Sequence, residues 1–309
     1  MKISVIGAGN VGSLAAMRIA QEGLGEVVLF DIIKGLAQGK AFDLQDSKWI
    51  LKNDYKIQGT DDISGVRDSD IIIITAGLAR KPGMSREDLL FKNAEILRGI
   101  SLNIKGSSPD SIIILVTNPL DIMTYLALKT TGFARYRVFG MGISLDASRF
   151  ANLISQELDI PANEIDACVI GSHGESMLPL ARLTKVKGAS LTTLLSPEEI
   201  NHLISRTINR GAEIVSLLGS GSAFFAPSCA ISDIVKTIVQ DQKRKIGICV
   251  HLNGEYGIND LCLGVPCILG RRGIEKIVEL DLTREEKAEL LKSAEAIRNN
   301  LKIVNRFLS

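Results

Sequence analysis

The sequence feature that most constrains the fold is a short apolar strand that runs directly into a glycine-rich turn and a helix. Residues 2–6 have a buried-strand pattern, and the next six residues are Gly7, Ala8, Gly9, Asn10, Val11 and Gly12. A helical pattern follows over residues 13–22. Alone, Gly-x-Gly-x-x-Gly also fits an ordinary turn, but between a strand and a helix it predicts dinucleotide binding.

The glycines and a later acid fit this interpretation. Gly7 permits a tight turn, Gly9 lets the backbone approach a pyrophosphate, and Gly12 lets the helix pack closely on the strand. The helix N-terminus adds unpaired N–H donors. A second strand pattern over residues 26–30 ends at Asp31, 19 positions after Gly12, where an acid that binds the ribose is expected.

Asp31 predicts NAD rather than NADP as the cofactor. A carboxylate accepts hydrogen bonds from the ribose hydroxyls and repels a 2′-phosphate. Lys34, three residues later, leaves the exclusion of NADP open. The alternative for Asp31 is a turn residue that merely follows a strand.

Helix-like and strand-like segments alternate through the first half of the chain. The predicted helices are residues 36–48, 86–105 and 120–130, and the predicted strands are 55–59, 71–75 and 111–116. Such alternation indicates a parallel sheet covered on both faces. We therefore predict an α/β protein with a doubly wound Rossmann domain over 1–142 and a second, α+β substrate domain over 143–309. There the patterns predict helices over 144–158, 197–218 and from 281 onward, and strands over 164–170 and 235–250.

Composition limits the partners. The 36 basic and 35 acidic residues leave a net charge of +1, which argues against nucleic acid or an anionic membrane. No export signal is visible, nor an apolar run of about 20 residues. The five scattered cysteines lack Cys-x-x-Cys spacing, so we expect reduced thiols and a cytoplasmic location. We predict no metal.

Two arginines lie in a segment that follows a strand pattern. Residues 77–90 read Gly-Leu-Ala-Arg-Lys-Pro-Gly-Met-Ser-Arg-Glu-Asp-Leu-Leu, and the glycines and proline indicate a mobile loop before a helix. Arg80 and Arg86 carry planar, permanently charged groups that suit a small anion with more than one carboxylate. The alternative is a solvated basic loop.

Other polar residues stand at a predicted strand end or beside one. Val116, Thr117 and Asn118 lie at the edge where open α/β sheets bind ligands, and Asn118–Pro119 is a candidate cis bond. Asn118 also fits a simple turn, and Asn93 a polar surface position. The segment from Ser222 to Pro227 fits either a pocket wall or core packing.

Of the three histidines, His173 is placed most like an active-site residue, because it lies between glycines after a strand pattern. Asp146 and Arg149 are spaced i, i+3 on a predicted helix and share one face. The alternatives are an incidental loop histidine and an ordinary surface ion pair, worth about 0–1 kcal/mol.

Four segments together resemble the lactate/malate dehydrogenase superfamily, from Gly7 to the last predicted helix. Residues 79–86 resemble the malate-specific members of its lactate-dehydrogenase-like branch. The other three segments are Val116-Thr117-Asn118-Pro119-Leu120-Asp121, Leu145-Asp146-Ala147-Ser148-Arg149-Phe150 and Gly171-Ser172-His173-Gly174-Glu175. Glu175 departs from the aspartate that is more frequent at its position.

The resemblance implies NAD-dependent oxidation of (S)-malate to oxaloacetate. His173 would take the hydroxyl proton while hydride passes to the nicotinamide, and Asp146 would hold the other ring nitrogen. Arg149 would bind one carboxylate, Arg86 would polarise the carbonyl as the loop closes, and Arg80 would bind the second carboxylate. The resemblance also implies a homodimer or homotetramer, substrate contacts from Asn118 and Ser222, and cofactor contacts from Asn93, Val116, Thr117 and Asn118.

Charge favours a dicarboxylate independently of the resemblance. Oxaloacetate brings two negative charges into a closing site and pyruvate brings one, and a buried charge without a partner costs several kcal/mol. A second arginine on the loop therefore favours the dicarboxylate. The competing hypotheses are a lactate or other 2-hydroxyacid dehydrogenase and a catalytically silent NAD-binding module.

Overall fold

A computed structural model describes residues 1–78, 86–304 and 307, apart from the Arg86 side chain. Its first half alternates strands and helices, as the sequence predicts. The elements are β1 (Lys2–Ile6), α1 (Asn10–Gln21), β2 (Glu26–Phe30), α2 (Leu36–Leu51), β3 (Ile57–Thr60), β4 (Ile71–Ile74), α3 (Arg86–Ser107), β5 (Ile112–Leu115), α4 (Leu120–Thr131) and β6 (Val138–Gly140).

These six strands form a parallel sheet in the order β3-β2-β1-β4-β5-β6. Every residue of β4 and β5 is buried, as in a parallel sheet that helices cover on both faces. Ile6 of β1 pairs with Phe30 of β2 and with Ile74 of β4. The strand order reverses between β1 and β4, and doubly wound proteins bind ligands at the carboxyl ends of such strands.

The second half extends the same sheet with antiparallel strands. The elements are α5 (Ile143–Leu158), β7 (Ile165–Asp166), β8 (Val169–Gly171), β9 (Met177–Pro179), β10 (Lys185–Val186), β11 (Ala189–Ser190), α6 (Pro197–Leu218), α7 (Phe225–Val239), β12 (Arg244–Asn253), β13 (Asn259–Gly270), β14 (Gly273–Ile277) and α8 (Arg284–Val304). β12 joins β6 where Cys249 pairs with Gly140, and β13, β8 and β9 follow it. β14 pairs with β13, while β7, β10 and β11 form a small separate sheet.

Two strand predictions need correction. Residues 235–239 belong to α7, whose buried Ile231, Ile234, Val235 and Ile238 have helical spacing, and the strand begins only at Arg244. The predicted strand over 164–170 is two short strands, β7 and β8, because the backbone between them bonds to other segments of the chain.

One large apolar core continues from β1–β6 into β12 and β13, so both halves pack on a common sheet. A smaller core joins α5 to α6 through Phe150, Leu153 and Leu203. These contacts fix α5 between the sheet and α6. In the described ranges, no helix is both long enough and apolar enough to cross a membrane.

Candidate active site

The glycine-rich turn connects β1 to α1 at the carboxyl edge of the sheet. Gly7 has a φ of +107°, and a Cβ there would lie 2.7 Å from Ala76 N. A Cβ on Gly12 would lie 1.9 Å from Gly7 O, whereas a Cβ on Gly9 would meet nothing within 4 Å. Packing therefore requires Gly7 and Gly12, while Gly9 faces open space at the α1 N-terminus. No described side chain caps this helix end, so a pyrophosphate fits there.

Two charged side chains hold the turn at Ala8. Asp31 Oδ2 accepts the Ala8 N–H at 2.7 Å, and Lys40 Nζ donates to Ala8 O at 2.6 Å and lies 3.1 Å from Ser13 Oγ. A carboxylate has about four acceptor sites, so Asp31 can still accept ribose hydroxyls. Sequence reasoning considered the exposed Lys34 and missed Lys40, whose contacts exist only once α2 packs beside the turn.

A buried carboxylate joins the catalytic candidates. Asp146 on α5 has no exposed surface; its Oδ2 lies 2.7 Å from His173 Nδ1, and its Oδ1 accepts from Arg149 Nη1 at 3.1 Å. The Arg149 side chain is only 13% exposed. The alternative of an ordinary surface ion pair is therefore wrong, and the i, i+3 spacing brings an imidazole, a carboxylate and a guanidinium together.

This arrangement sets the protonation of His173. An ionised Asp146 accepts a hydrogen bond, so Nδ1 carries the proton and Nε2 is left to exchange one with a substrate. Burial lowers the pKa of His173, but the charge and hydrogen bond of Asp146, with help from Asp121, outweigh burial and the opposing Arg149. The net pKa of His173 is raised, so its cationic form is stabilised.

Glycines shape the backbone around His173. Gly171 and Gly174 flank the segment with φ values of +93° and +150°, which side chains with a Cβ rarely adopt. A Cβ on Gly142, at the start of α5, would lie 3.0 Å from His173 Cβ and 2.4 Å from Leu120 Cδ2. The close approach of α5 to the histidine therefore depends on Gly142.

Two distant side chains anchor the same segment. The Ser172 N–H donates to Ser293 Oγ at 2.9 Å, and the His173 N–H donates to Asp121 Oδ2 at 3.0 Å. Ser293 lies on α8 and Asp121 in the first turn of α4. Sequence reasoning missed both contacts, because a separation of 121 or 52 positions gives no periodic signal.

A cavity of about 440 Å³ brings several of the predicted ligand-binding residues together, although Arg149 and Asp31 are not part of its lining. Its lining includes His173, Val11, Asn93, Val116, Thr117, Asn118 and Ser222. A second cavity, of about 650 Å³, also borders His173 and is lined by Asp121, Glu87 and Glu175 among others. The histidine thus faces open space as well as the buried Asp146.

Asn93 is 2% exposed, so the surface interpretation is wrong. Its Oδ1 accepts the Leu78 N–H at 2.8 Å, and its Nδ2 donates to Asn118 O at 3.0 Å. The side chain therefore ties Leu78 to the end of β5. The Asn118–Pro119 bond is cis, which confirms that candidate.

The two loop arginines fall largely outside this description. Arg80 and the Arg86 side chain lie outside the described residues, although α3 does begin at residue 86. Within residues 1–78, 86–304 and 307, no three His, Cys, Asp or Glu side chains are grouped to hold a metal ion.

Comparison with known proteins covers both halves. A family profile for the lactate/malate dehydrogenase NAD-binding domain matches residues 1–140, and one for the lactate/malate dehydrogenase α/β C-terminal domain matches residues 143–308. A malate dehydrogenase of Methanosarcina barkeri is 49% identical over 300 residues, which cover 97% of this chain and 98% of the relative.

Solved structures share the fold. Malate dehydrogenase from Salinibacter ruber has a TM-score of 0.94 at 43% identity, covering 99% of this chain and 98% of that one. Lactate dehydrogenase from Cryptosporidium parvum, solved with lactic acid and NAD, has a TM-score of 0.95 at 35% identity, covering 98% of both chains. The predicted α/β fold with an α/β C-terminal domain is confirmed.

Proposed function

Because this chain belongs to the lactate/malate dehydrogenase family, we propose that it catalyses the reversible, NAD-dependent oxidation of (S)-malate to oxaloacetate. The observation that carries this proposal is the cluster of His173, Asp146 and Arg149, of which His173 lines the same cavity as Asn118. The cluster combines a base, a carboxylate that orients it and a cation that can bind an anion. Curated relatives between 45% and 49% identical are named malate dehydrogenase, which supports the substrate.

His173 moves the proton. In malate oxidation, Nε2 accepts the hydroxyl proton, and in oxaloacetate reduction it returns the proton to the carbonyl oxygen. Asp146 keeps the ring oriented through Nδ1 and stabilises the imidazolium that forms. Asp146 therefore has the same relation to His173 that a carboxylate has to the base in other proton-transfer sites.

The residues at the carboxyl edge of the sheet fit NAD, which when bound supplies the hydride acceptor. The turn from Gly7 to Gly12 would hold the pyrophosphate, and Asp31 would bind the adenosine ribose. Near His173, the cofactor would be lined by Asn93, Val116, Thr117 and Asn118, all of which border the same cavity.

Cations select the substrate. Arg149 would bind the C1 carboxylate, with Asn118 and Ser222 lining the pocket. From the family resemblance, Arg86 would polarise the reacting carbonyl and Arg80 would pair with the second carboxylate. An arginine left without its carboxylate partner in a closed site would disfavour a monocarboxylate such as pyruvate.

Initial rates with oxaloacetate and with pyruvate, each with NADH and NADPH, test this function. We expect the highest kcat/KM with oxaloacetate and NADH. Arg80→Gln should lower kcat/KM for oxaloacetate by roughly 100-fold, because a charge-assisted pair to the carboxylate contributes about 1.5–3 kcal/mol. The kcat/KM for pyruvate should rise relative to the kcat/KM for oxaloacetate in this variant.

Lys81→Gln is the matched control, since it removes a neighbouring positive charge from the same loop and should leave the substrate preference unchanged. Persistence of the oxaloacetate preference in Arg80→Gln would place the selecting residue elsewhere.

Lactate dehydrogenase is the second candidate, because the Cryptosporidium lactate dehydrogenase shares the fold at a TM-score of 0.95. A higher kcat/KM with pyruvate would establish it. If none of a panel of 2-oxoacids supports NADH oxidation, the chain is a catalytically silent cofactor-binding module instead.

We also propose the wider organisation. Two domains, 1–142 and 143–309, would meet at Gly142, where β6 gives way to α5. A homodimer or homotetramer is supported by α2, on which Phe42, Trp49 and Ile50 are 62%, 78% and 73% exposed. Five free cysteines support a reducing, cytoplasmic location.

A further inference from the structure

A second buried carboxylate besides Asp146 contacts the His173 segment. Asp121 lies in the first turn of α4, is 5% exposed, and accepts the His173 N–H through Oδ2 at 3.0 Å. Asp146 holds the imidazole ring, whereas Asp121 holds the main chain of the same residue. Two carboxylates therefore fix one histidine at two different atoms.

The other oxygen of Asp121 is unusual. Oδ1 is buried and has no N–H or O–H donor among the described residues, with the Cys249 thiol as its polar neighbour. Desolvation raises the pKa of Asp121 to about 6, although the Cys249 thiol on β12 and the His173 imidazole oppose the rise. The side chain is therefore a carboxylate above about pH 6.

We infer that Asp121 is a positioning residue for His173, which fixes its backbone and adds a negative charge that favours the protonated imidazole. The kinetic consequence rests on the proposed function, whereas the titration of the imidazole does not. Asp146 also raises the pKa of His173 and remains when Asp121 is removed. Removal of Asp121 should therefore change the pKa of His173 without abolishing its action as a base.

The charged groups around the histidine give the sign of the effect. Asp146 and Asp121 raise the pKa of His173, and Arg149 lowers it. Glu87 and Glu175 line the adjoining cavity, and Cys249 faces Asp121 from β12. Loss of the charge at Asp121 should therefore lower the pKa of His173.

Asp121→Asn tests the charge while retaining an oxygen that can accept the His173 N–H. Malate oxidation needs a neutral imidazole, so its kcat/KM should begin to rise at lower pH than in the wild type. Oxaloacetate reduction needs the protonated imidazole, so its kcat/KM should begin to fall at lower pH. Both shifts should go in the same direction.

Asp121→Ala removes the anchor as well. Since a misplacement of about 1 Å can cost roughly 100-fold in rate, kcat should fall between about ten- and 100-fold. Ser293→Ala is the matched control, because it removes the neighbouring anchor of Ser172 without changing any charge. It should leave both pH profiles in place.

NMR titration of the imidazole separates this inference from the proposed reaction. The chain has three histidines, so His202→Gln and His251→Gln assign their signals, and His173 is followed without substrate. His173 should titrate at lower pH in Asp121→Asn than in the wild type. In the wild-type protein, where no substitution can disturb folding, the His173 signal should also show a second inflection from the ionisation of Asp121.

An unchanged His173 titration in folded Asp121→Asn, or a wild-type His173 signal with no second inflection from a neighbouring carboxyl group, would overturn the inference. A shifted titration in a protein that does not oxidise malate would uphold it and reject the proposed reaction instead.

Discussion

Asp31 is placed for two tasks, one observed in the structure and one proposed. Its carboxylate fixes the backbone of Ala8 in the glycine-rich turn, and it stands where the adenosine ribose is expected. The sequence predicts the second task from the distance to Gly12. The first depends on a side chain that turns back from the end of β2, which spacing does not reveal.

Asp31→Ser should therefore weaken NAD binding and relax the exclusion of NADP. Loss of charged hydrogen bonds worth about 1.5–3 kcal/mol predicts a rise in the KM for NAD of roughly tenfold to 100-fold. The kcat/KM for NADP should increase, because the carboxylate no longer repels the 2′-phosphate. Steady-state kinetics with both cofactors, and fluorescence titration with NADH, measure these changes.

Asp54→Ser is the control for this prediction, since it removes a fully exposed carboxylate of the same domain. Michaelis constants for NAD and NADP that match the wild type in Asp31→Ser would remove the assignment of Asp31.

Single residues also show where prediction from sequence succeeds. Asp146 and Arg149 share a helix face because they are three residues apart, and the structure confirms their contact. Lys40 and Asp121 reach the site across 32 and 52 positions, so only the packed fold reveals them.

At the scale of elements, the proposed catalytic groups and their anchors lie near the ends of strands and the starts of helices. β8 ends just before His173, α4 begins just before Asp121, and α5 begins three residues before Asp146. Each element was predictable as a helix or strand, within a few residues. The close approach of these elements to one another was not predictable from the sequence. It depends on Gly142, which has no side chain at the junction of β6 and α5.

Gly142→Ala should disturb this approach. Its Cβ would lie 2.4 Å from Leu120 Cδ2 and 3.0 Å from His173 Cβ, so one of them must move. Overpacking of this kind costs about 1–3 kcal/mol, which should lower the melting temperature. A displaced histidine should also reduce kcat, by up to roughly 100-fold for about 1 Å.

Gly99→Ala provides the comparison, because a Cβ there meets nothing within 4 Å inside α3. It should stabilise that helix by up to about 1 kcal/mol and leave kcat unchanged. Wild-type kcat in Gly142→Ala would mean that the junction tolerates a side chain.

The misassigned segment over residues 235–239 has a physical explanation. α7 is apolar on much of its surface, with a buried stripe that follows helical spacing through Val235 and Ile238. Short apolar runs fit strand and helix templates alike, and the packing of α7 against α1 decides between them.

At the scale of the whole molecule, one sheet and one core run through both halves. The fold class follows from the alternating patterns and is confirmed by solved relatives. The pairing of β6 with β12, which joins the two halves, was not predictable because Gly140 and Cys249 are far apart in the sequence.

The exposed apolar surface of α2 belongs to this scale as well. If a second copy covers it, Trp49→Glu should shift the protein to smaller particles and lower its melting temperature, because burial of a charge without a partner is unfavourable. Analytical ultracentrifugation measures the mass of the wild type and the variant.

Leu291→Glu, on the exposed side of α8, is the matched control and should leave the mass unchanged. A monomeric wild type, or an assembly that survives Trp49→Glu, would exclude α2 as the contact.

The two oxygens of Asp146 have a consequence for how this enzyme can diverge. One oxygen contacts the imidazole that we propose as proton carrier, and the other contacts the guanidinium that we propose as anion binder. A replacement of Asp146 should therefore disturb turnover and substrate affinity together. A change in the pH at which the enzyme works would then have to come from residues that contact only the histidine, because these can alter its pKa without changing the affinity for the substrate.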